Sequence, residues 1–200
     1  MAGVSTRRGR PRQFDRDTAL HTAVEVFWER GYEATSVNDL ATAMGVGVPS
    51  LYAAFGSKRA LFDEVVEEYT RRYRSFLADA IQQEPTLTGG VRRLLHEAAA
   101  ASTRPGLPRG CLVVSAAMNT TSPEVEQLLR RLRVEGTDAL ETLIAAAVTT
   151  GELPAGTDPR GLAHYVSATL QGIALQARDG ADRATLETIA ALAMRAWPAT

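Results

Sequence analysis

The segment from Thr35 to Phe55 has the residue pattern of two short helices joined by a tight turn, and this pattern restricts the fold more than any other part of the sequence. Ala41 is small at the point where the second helix would cross the first, and Gly45 suits the left-handed conformation that ends a helix. Ser36 and Asp39 have the spacing of a capping box, which predicts that the first helix begins after Ser36. The apolar residues that would fill the space between the two helices are Leu40, Met44, Val46 and Leu51. The pattern favours a helix-turn-helix unit, and a tight helical hairpin without a DNA-binding role is the alternative.

Predicted helices on both sides place this unit inside a small helical domain. Asp15 can cap a helix whose apolar residues recur at helical spacing and which ends at Gly31. Ser57 can cap a fourth helix that begins with Lys58, so a cation would stand beside the expected path of a DNA backbone. Three helices are therefore expected in about the first 55 residues.

The residues from Phe14 to about Tyr69 closely resemble the TetR family of transcriptional regulators. The resemblance rests on the run FWERGYEATSV, on Gly45 and Val46, and on the run LYAAFGSKRALF that starts at Leu51. It implies an all-α protein with an N-terminal helix-turn-helix domain, followed by a larger helical domain for ligand binding and dimerisation. It also implies a palindromic double-stranded DNA operator, a homodimer and an unidentified small-molecule effector.

The predicted recognition helix differs from the common family pattern at its start and in its middle. Gly47 stands where a serine usually caps the helix, and Ala53 and Ala54 stand where an aromatic residue or histidine is often found. Bases are usually read by Arg, Lys, Asn or Gln, each good bidentate contact giving about 1–3 kcal/mol of discrimination. None of these residues is present in the helix. The remaining specificity is expected from contacts with thymine methyl groups and from DNA shape.

The N-terminal run RRGRPR, residues 7–12, resembles an AT-hook and holds four arginines and no acidic residue. One interpretation is that Arg10 and Arg12 enter a narrow A·T minor groove beside the recognition helix. The other is a disordered basic tail that contributes only counterion release. The residues expected to contact DNA are Arg8, Arg10, Arg12, Thr35, Ser36, Gly47, Val48, Pro49, Ser50, Tyr52 and Lys58.

Charge divides the chain into two unlike parts. Residues 1–60 hold eight Lys or Arg against six Asp or Glu, a net charge of +2, whereas the remainder holds fourteen against seventeen, a net charge of −3. DNA affinity should therefore concentrate at the N-terminal end. We expect a basic arm over residues 1–13, a DNA-binding domain over 14–57 and a ligand-binding and dimerisation domain over 58–200.

The pattern beyond Lys58 predicts helices throughout. The fourth helix is expected to run unbroken until Pro85, a short helix to extend from Cys111 to about Asn119, and the last helix to end near Trp197. By the family resemblance the last two helices form the dimer interface, with the contacts Leu162, Val166, Thr169, Leu170, Ile173, Ala177, Leu186, Ile189, Ala193 and Trp197. The resemblance also implies a ligand pocket, and its candidate lining residues are Tyr73, Phe76, His96, Cys111, Met118, Asn119 and His164.

Several functional classes find little support in the sequence. There is no phosphate-binding glycine loop, nucleophile elbow or metal-ligand spacing, so we expect neither an enzyme nor a cofactor or metal site. With Cys111 as the single cysteine and no leader or membrane-spanning run, we expect a cytoplasmic protein. Two alternatives to a ligand-responsive repressor remain: an architectural DNA binder of low specificity, and a small-molecule-binding protein that has lost DNA binding.

Overall fold

The computed structural model describes residues 15–117 and 120–198, and within these ranges the chain forms ten α-helices and no β-strand. This confirms the predicted all-helical fold. The helices are α1 (Arg16–Arg30), α2 (Val37–Met44), α3 (Val48–Phe55), α4 (Lys58–Tyr73), α5 (Phe76–Gln82), α6 (Leu87–Ser102), α7 (Leu112–Ser115), α8 (Pro123–Thr150), α9 (Pro159–Arg178) and α10 (Arg183–Ala193). The arginines predicted to contact DNA in the arm, and Met118 and Asn119, lie outside the described residues.

Capping side chains start the first two helices where the sequence predicts. The carboxylate of Asp15 accepts a hydrogen bond from the N–H of Asp17 at 3.1 Å and so caps α1. At the start of α2, the Ser36 hydroxyl accepts from the N–H of Asp39 at 3.1 Å, and the Asp39 carboxylate accepts from the N–H of Ser36 at 2.9 Å. This is the predicted capping box. Gly45 ends α2 in the left-handed region, with φ of +68°.

The prediction that the fourth helix runs unbroken to Pro85 is wrong. The structure has two helices in this stretch, α4 and α5. Arg74, with φ of −116° and ψ of 0°, leaves the helical conformation at the break. Tyr69, before the break, packs in the core around α1, whereas Ala80, after it, packs in a second core with α6. Because of the break, the apolar residues before it pack in one core and those after it pack in the other. The spacing of apolar residues alone does not predict such a division.

Two further helices are shorter than the sequence predicts. The helix expected from Cys111 to Asn119 is the four-residue α7, and the residues that follow it up to residue 117 form a turn. The helix expected to reach Trp197 ends at Ala193. Beyond that point the Trp197 indole donates to the Thr88 hydroxyl of α6 at 3.0 Å, so this side chain lies against α6.

The buried side chains form two hydrophobic cores. The first joins α1, α2, α3 and α4, and it is centred on Phe27 and Phe62, whose rings meet edge to face with centroids 5.0 Å apart. Leu112 of α7 and Val125 and Leu129 of α8 also belong to this core. The second core joins α5, α6, α9, α10 and the remainder of α8. The boundary between the cores therefore does not follow the order of the chain.

Two polar contacts join the helix-turn-helix part to the rest of the molecule. The Glu33 carboxylate, just after α1, accepts from the N–H groups of Thr121 at 2.8 Å and Ser122 at 3.2 Å, at the start of α8. At the far end of α9, the Arg178 guanidinium donates to the backbone carbonyls of Trp28 at 3.3 Å and Glu29 at 2.6 Å. The ends of α8 and α9 are thus attached to the end of α1.

We expect Glu33→Gln to lower the free energy of unfolding by about 1 kcal/mol at neutral pH, since solvent screens this exposed carboxylate. The N–H of Thr121 is the main cause of the lowered pKa of Glu33. A lowered pKa stabilises the folded state above the unfolded pKa and stops doing so as pH falls through the folded value. Urea unfolding should therefore show a difference that shrinks below about pH 4. Glu29→Gln, at a carboxylate without these contacts, is the control, and a difference that persists at low pH would contradict the assignment.

Candidate nucleic-acid interface and ligand cavity

The helix α3 presents one face to the core and the other to solvent. Leu51 and Phe55 are buried in the first core, whereas Pro49, Ser50 and Tyr52 are exposed, with 45% of Tyr52 accessible. Val48 is half-buried and packs against the same core, and Gly47, at the N-cap, is exposed and offers no side-chain cap. The predicted DNA-contacting residues of α3 therefore form a continuous outer surface, with Val48 at its edge.

A set of contacts made by Arg16 holds α3 in place. Its guanidinium pairs with the Glu64 carboxylate of α4 at 2.7 Å and lies 4.5 Å from the centre of the Phe55 ring. Its Nε also donates to the carbonyl of Ala54, in the last turn of α3, at 3.4 Å. One side chain of α1 thus contacts the end of the recognition helix and the helix that follows it.

Lys58 stands at the start of α4, as the sequence predicts. Its ammonium lies 4.2 Å from the centre of the Tyr32 ring, a cation–π arrangement, and it makes no ion pair with any described residue. Burial lowers the pKa of Lys58, and the neighbouring Glu33 carboxylate acts in the opposite direction. The aromatic ring therefore holds the cation of Lys58 at the start of α4, next to the end of α1.

Two of the predicted DNA contacts have structural roles. Thr35 has no exposed surface, and its hydroxyl donates to the carbonyl of Gly31 at 2.7 Å, so the structure does not present the predicted contact Thr35 to DNA. Ser36 is exposed, but its hydroxyl is part of the capping box with Asp39, at 2.5 Å from the carboxylate. The sequence could not distinguish a buried threonine before a helix from an exposed one.

A cavity of about 460 Å³ lies between the two cores. Tyr73, Phe76 and Cys111 line it, as predicted. His96 and His164 do not line it: His96 is half-buried elsewhere on α6, and His164 is exposed on α9. The polar lining residues that the sequence analysis missed are Arg74, Gln82, Ser102, Arg104, Arg133, Ser167 and Gln171, together with Tyr69 and Trp28 on the aromatic side.

One of the missed cavity residues, Arg133, could have been predicted from its position in the sequence. It falls four residues after Leu129 and seven before Leu140, on the face of α8 that is otherwise buried. Its Nη1 donates to the carbonyl of Val113 at 2.9 Å. Burial is the main cause of the lowered pKa of Arg133. A charged residue within an apolar stripe would have identified this site.

Two tyrosines of α4, Tyr69 and Tyr73, make polar contacts at the cavity lining. Burial, together with a hydrogen bond to Cys111, raises the pKa of Tyr69 well above its ordinary value. The Tyr73 hydroxyl, on the same helix as Tyr69, lies 3.3 Å from Nδ1 of His21 on α1. Both α1, through Trp28, and α4, through Tyr69 and Tyr73, therefore contribute to the cavity lining.

Most of the residues predicted to form the dimer interface face inward. Those with little exposure pack in the second core of their own chain; they are Val166, Ile173, Ala177, Leu186, Ala193 and Trp197. The others are half-buried, namely Leu162, Thr169, Leu170 and Ile189, and Leu170 also lines the cavity. The exposed large apolar side chains on these two helices are Tyr165, Leu175 and Leu192. Apolar periodicity located a face that is covered within the chain itself, and the interface between subunits stays a prediction.

The fold and these two sites define a protein of the helix-turn-helix class with an internal cavity. The chain matches the family model "Bacterial regulatory proteins, tetR family" over residues 19–65 and the model "Tetracyclin repressor-like, C-terminal domain" over residues 89–193. The chain belongs to the TetR family and is a DNA-binding transcriptional regulator.

Similar proteins support this membership over nearly the whole chain. The HTH-type transcriptional repressor ComR of Escherichia coli K12 is 32% identical over 198 residues, covering 98% of this chain and 94% of ComR. The repressor BdcR of the same organism is 29% identical over 188 residues, covering 92% of this chain and 90% of BdcR. A solved structure of a cysteine mutant of the regulator CifR, complexed with 26-bp operator DNA, is 42% identical, with a TM-score of 0.88, and covers 94% of this chain and 100% of its own. Within residues 15–117 and 120–198, no helix has the length and apolar character needed to cross a membrane.

The buried hydroxyl of Thr35 can be separated experimentally from DNA binding. Thr35→Val would leave the carbonyl of Gly31 without its donor and should cost about 1–3 kcal/mol of stability, measured by urea unfolding. The DNA affinity of the folded protein should not change, because the side chain does not reach the surface. Thr35→Ser, which keeps the hydroxyl, is the matched control. A valine variant of normal stability but weakened DNA binding would show that Thr35 contacts DNA after all.

Proposed function

We propose that the chain is a homodimeric repressor that binds a palindromic operator through α3 of each subunit and leaves it when a small molecule fills the cavity. The observation that carries this proposal is the course of α4, which begins beside α3 at Lys58 and ends in the cavity wall at Tyr73. One helix therefore contacts both sites. The names of ComR and BdcR as repressors, and the operator complex of CifR, support the assignment.

The DNA surface consists of the exposed side of α3 and the residues at its two ends. Ser50 and Tyr52 supply hydroxyl groups, while Val48 and Pro49 supply apolar contacts for thymine methyl groups. The N-terminus of α3 has no side-chain cap, and the N–H groups of a helix N-terminus favour a phosphate. Lys58 adds a cation for the DNA backbone.

We also propose that the chain is divided into three functional segments. Residues 1–13 act as a basic arm, residues 14–57 as the DNA-binding domain and residues 58–200 as the domain for ligand binding and dimerisation. In the arm, Arg10 and Arg12 enter the minor groove and supply sequence preference that the few polar groups of α3 do not.

The outer faces of α9 and α10 are proposed to pair with a second copy of the chain. Tyr165 and Leu175 lie on this side of α9, and Leu192, 51% exposed, lies on α10. A single short recognition helix reads few bases, whereas a two-fold pair reads two half-sites about one turn apart. The 26-bp operator in the CifR complex is long enough for two such half-sites.

The proposed release of DNA depends on a difference in ligand affinity between the free and DNA-bound conformations, typically about 1–3 kcal/mol. Trp28 of α1 and Tyr69 of α4 both line the cavity. A molecule that moves either helix changes the position of α3, because Arg16 and Glu64 connect these helices at the end of α3. The contacts of Glu33 and Arg178 carry a change in α8 or α9 to the same domain.

Selection of bound fragments from random duplex DNA tests the proposed function. The protein should enrich a palindrome, and Tyr52→Ala should weaken binding to the selected sequence by about tenfold or more, the cost of roughly one base contact. Thr149→Ala, which changes an exposed residue at the far end of α8, is the control. A protein without residues 1–12 should lose preference for flanking A·T pairs. No enriched sequence with any of these proteins would contradict a specific regulator.

A single substitution that introduces a carboxylate tests the proposed dimer interface. Leu192→Glu should shift the protein from dimer to monomer in light scattering after size-exclusion chromatography, because two carboxylates would be buried near the two-fold axis without partners. Val134→Glu, at an equally exposed apolar residue of α8, should leave the dimer intact. A dimer that persists in the Leu192 variant, or one that dissociates only with the Val134 change, would place the interface elsewhere.

A further inference from the structure

The cavity has a strongly one-sided charge. Three arginines line it, at positions 74, 104 and 133, and no Asp or Glu does so among the described residues. None of the three makes an ion pair with a described residue. Positive charges in a low-dielectric cleft raise the local concentration of anions.

Arg133 lacks the partner that a half-buried charge normally has. Its hydrogen bond to the carbonyl of Val113 uses one of five N–H donors of the guanidinium. The Glu126 carboxylate favours the positive charge of Arg133, whereas Arg130 and Arg74 oppose it. Glu126 neither forms an ion pair with Arg133 nor lines the cavity. Two arginines line the cavity with no carboxylate among its described lining residues, and a bound anion would complete such a site, because charges removed from solvent in proteins are usually paired.

The rest of the wall is suited to an apolar molecule. Aromatic and aliphatic side chains surround the space, including Trp28, Tyr69, Phe76 and Leu94. The indole Nε1 of Trp28 is buried without a hydrogen-bond partner among the described residues, so this wall holds a further donor. The volume of about 460 Å³ falls within the range of small-molecule sites, about 300–1,000 Å³.

We infer that the effector is an apolar carboxylate whose charged end is held by Arg133 and Arg74 and whose body lies against the aromatic wall. This inference rests on the proposed function for its regulatory meaning, but the binding itself can be measured without DNA. A carboxylate offers only acceptors, and it matches the planar fork of an arginine. A neutral molecule of the same shape would leave both guanidinium groups without a counterion.

Isothermal titration of the intact protein with sodium octanoate and with 1-octanol, in the absence of DNA, tests the inference. Octanoate should bind at least about tenfold more tightly than the alcohol, because the charge-assisted contacts are lost with the hydroxyl. Equal affinity for the two, or no saturable binding of octanoate, would overturn the inference.

Variants of the two arginines locate the charged end of the ligand. Arg133→Gln and Arg74→Gln should each reduce the preference for octanoate, and Arg133→Lys, which keeps the charge, should retain most of it. Arg131→Gln removes an equal charge from an exposed position of the same helix outside the cavity and should change nothing. Cys111→Ser should keep the preference, because the thiol is not the proposed counter-charge. A preference that survives in the Arg74→Gln, Arg133→Gln double variant would overturn the assignment.

A parallel DNA titration separates this inference from the proposed function. Specific DNA binding that octanoate weakens supports both. Octanoate selectivity in a protein without specific DNA binding supports the ligand class and contradicts the repressor. Specific DNA binding without octanoate selectivity contradicts the ligand class alone.

Discussion

The packing of α1 against α4 is the contact on which both sites depend. Phe27 and Phe62 meet edge to face at 5.0 Å in the centre of the helix-turn-helix core, and one residue along α1, Trp28 meets Tyr69 at 4.8 Å in the same way. The first pair supports the DNA-binding helices, and the second pair forms part of the cavity wall. Aromatic pairs contribute about 0.5–1.5 kcal/mol beyond the area they bury and hold a defined geometry. A displacement of one aromatic pair therefore also displaces the other.

Capping residues in the sequence correctly predicted the helix ends that depend only on neighbouring residues. Asp15, Ser36 and Gly45 fix helix ends through their own side chains or backbone conformation, and each of these boundaries is confirmed. The break between α4 and α5 was not predicted, because no glycine or proline marks it. It arises where the chain passes from one core to the other, and such a change depends on partners distant in the sequence.

The sites were predictable to the extent that their chemistry is visible along a single helix. The outer surface of α3 follows from Leu51 and Phe55 being apolar on the opposite side. The burial of the apolar face of α9 and α10 within the same chain was not predicted, because periodicity shows that a helix face is apolar but not which neighbour covers it. Arg133 could have been identified from its position among buried residues, whereas the inward placement of Arg74 depends on the break after α4.

The division of the first core has a consequence for exchanging domains between relatives. Leu112, Val125 and Leu129 follow the DNA-binding helices by more than fifty residues, yet they complete the core of that part. A chimaera that joins the first 57 residues of one regulator to the remainder of another would combine two halves of a core that were never selected to fit. The unit that can be transplanted intact is a three-dimensional one, comprising α1–α4, α7 and the first two turns of α8, and recombination at a single point in the chain cannot deliver it.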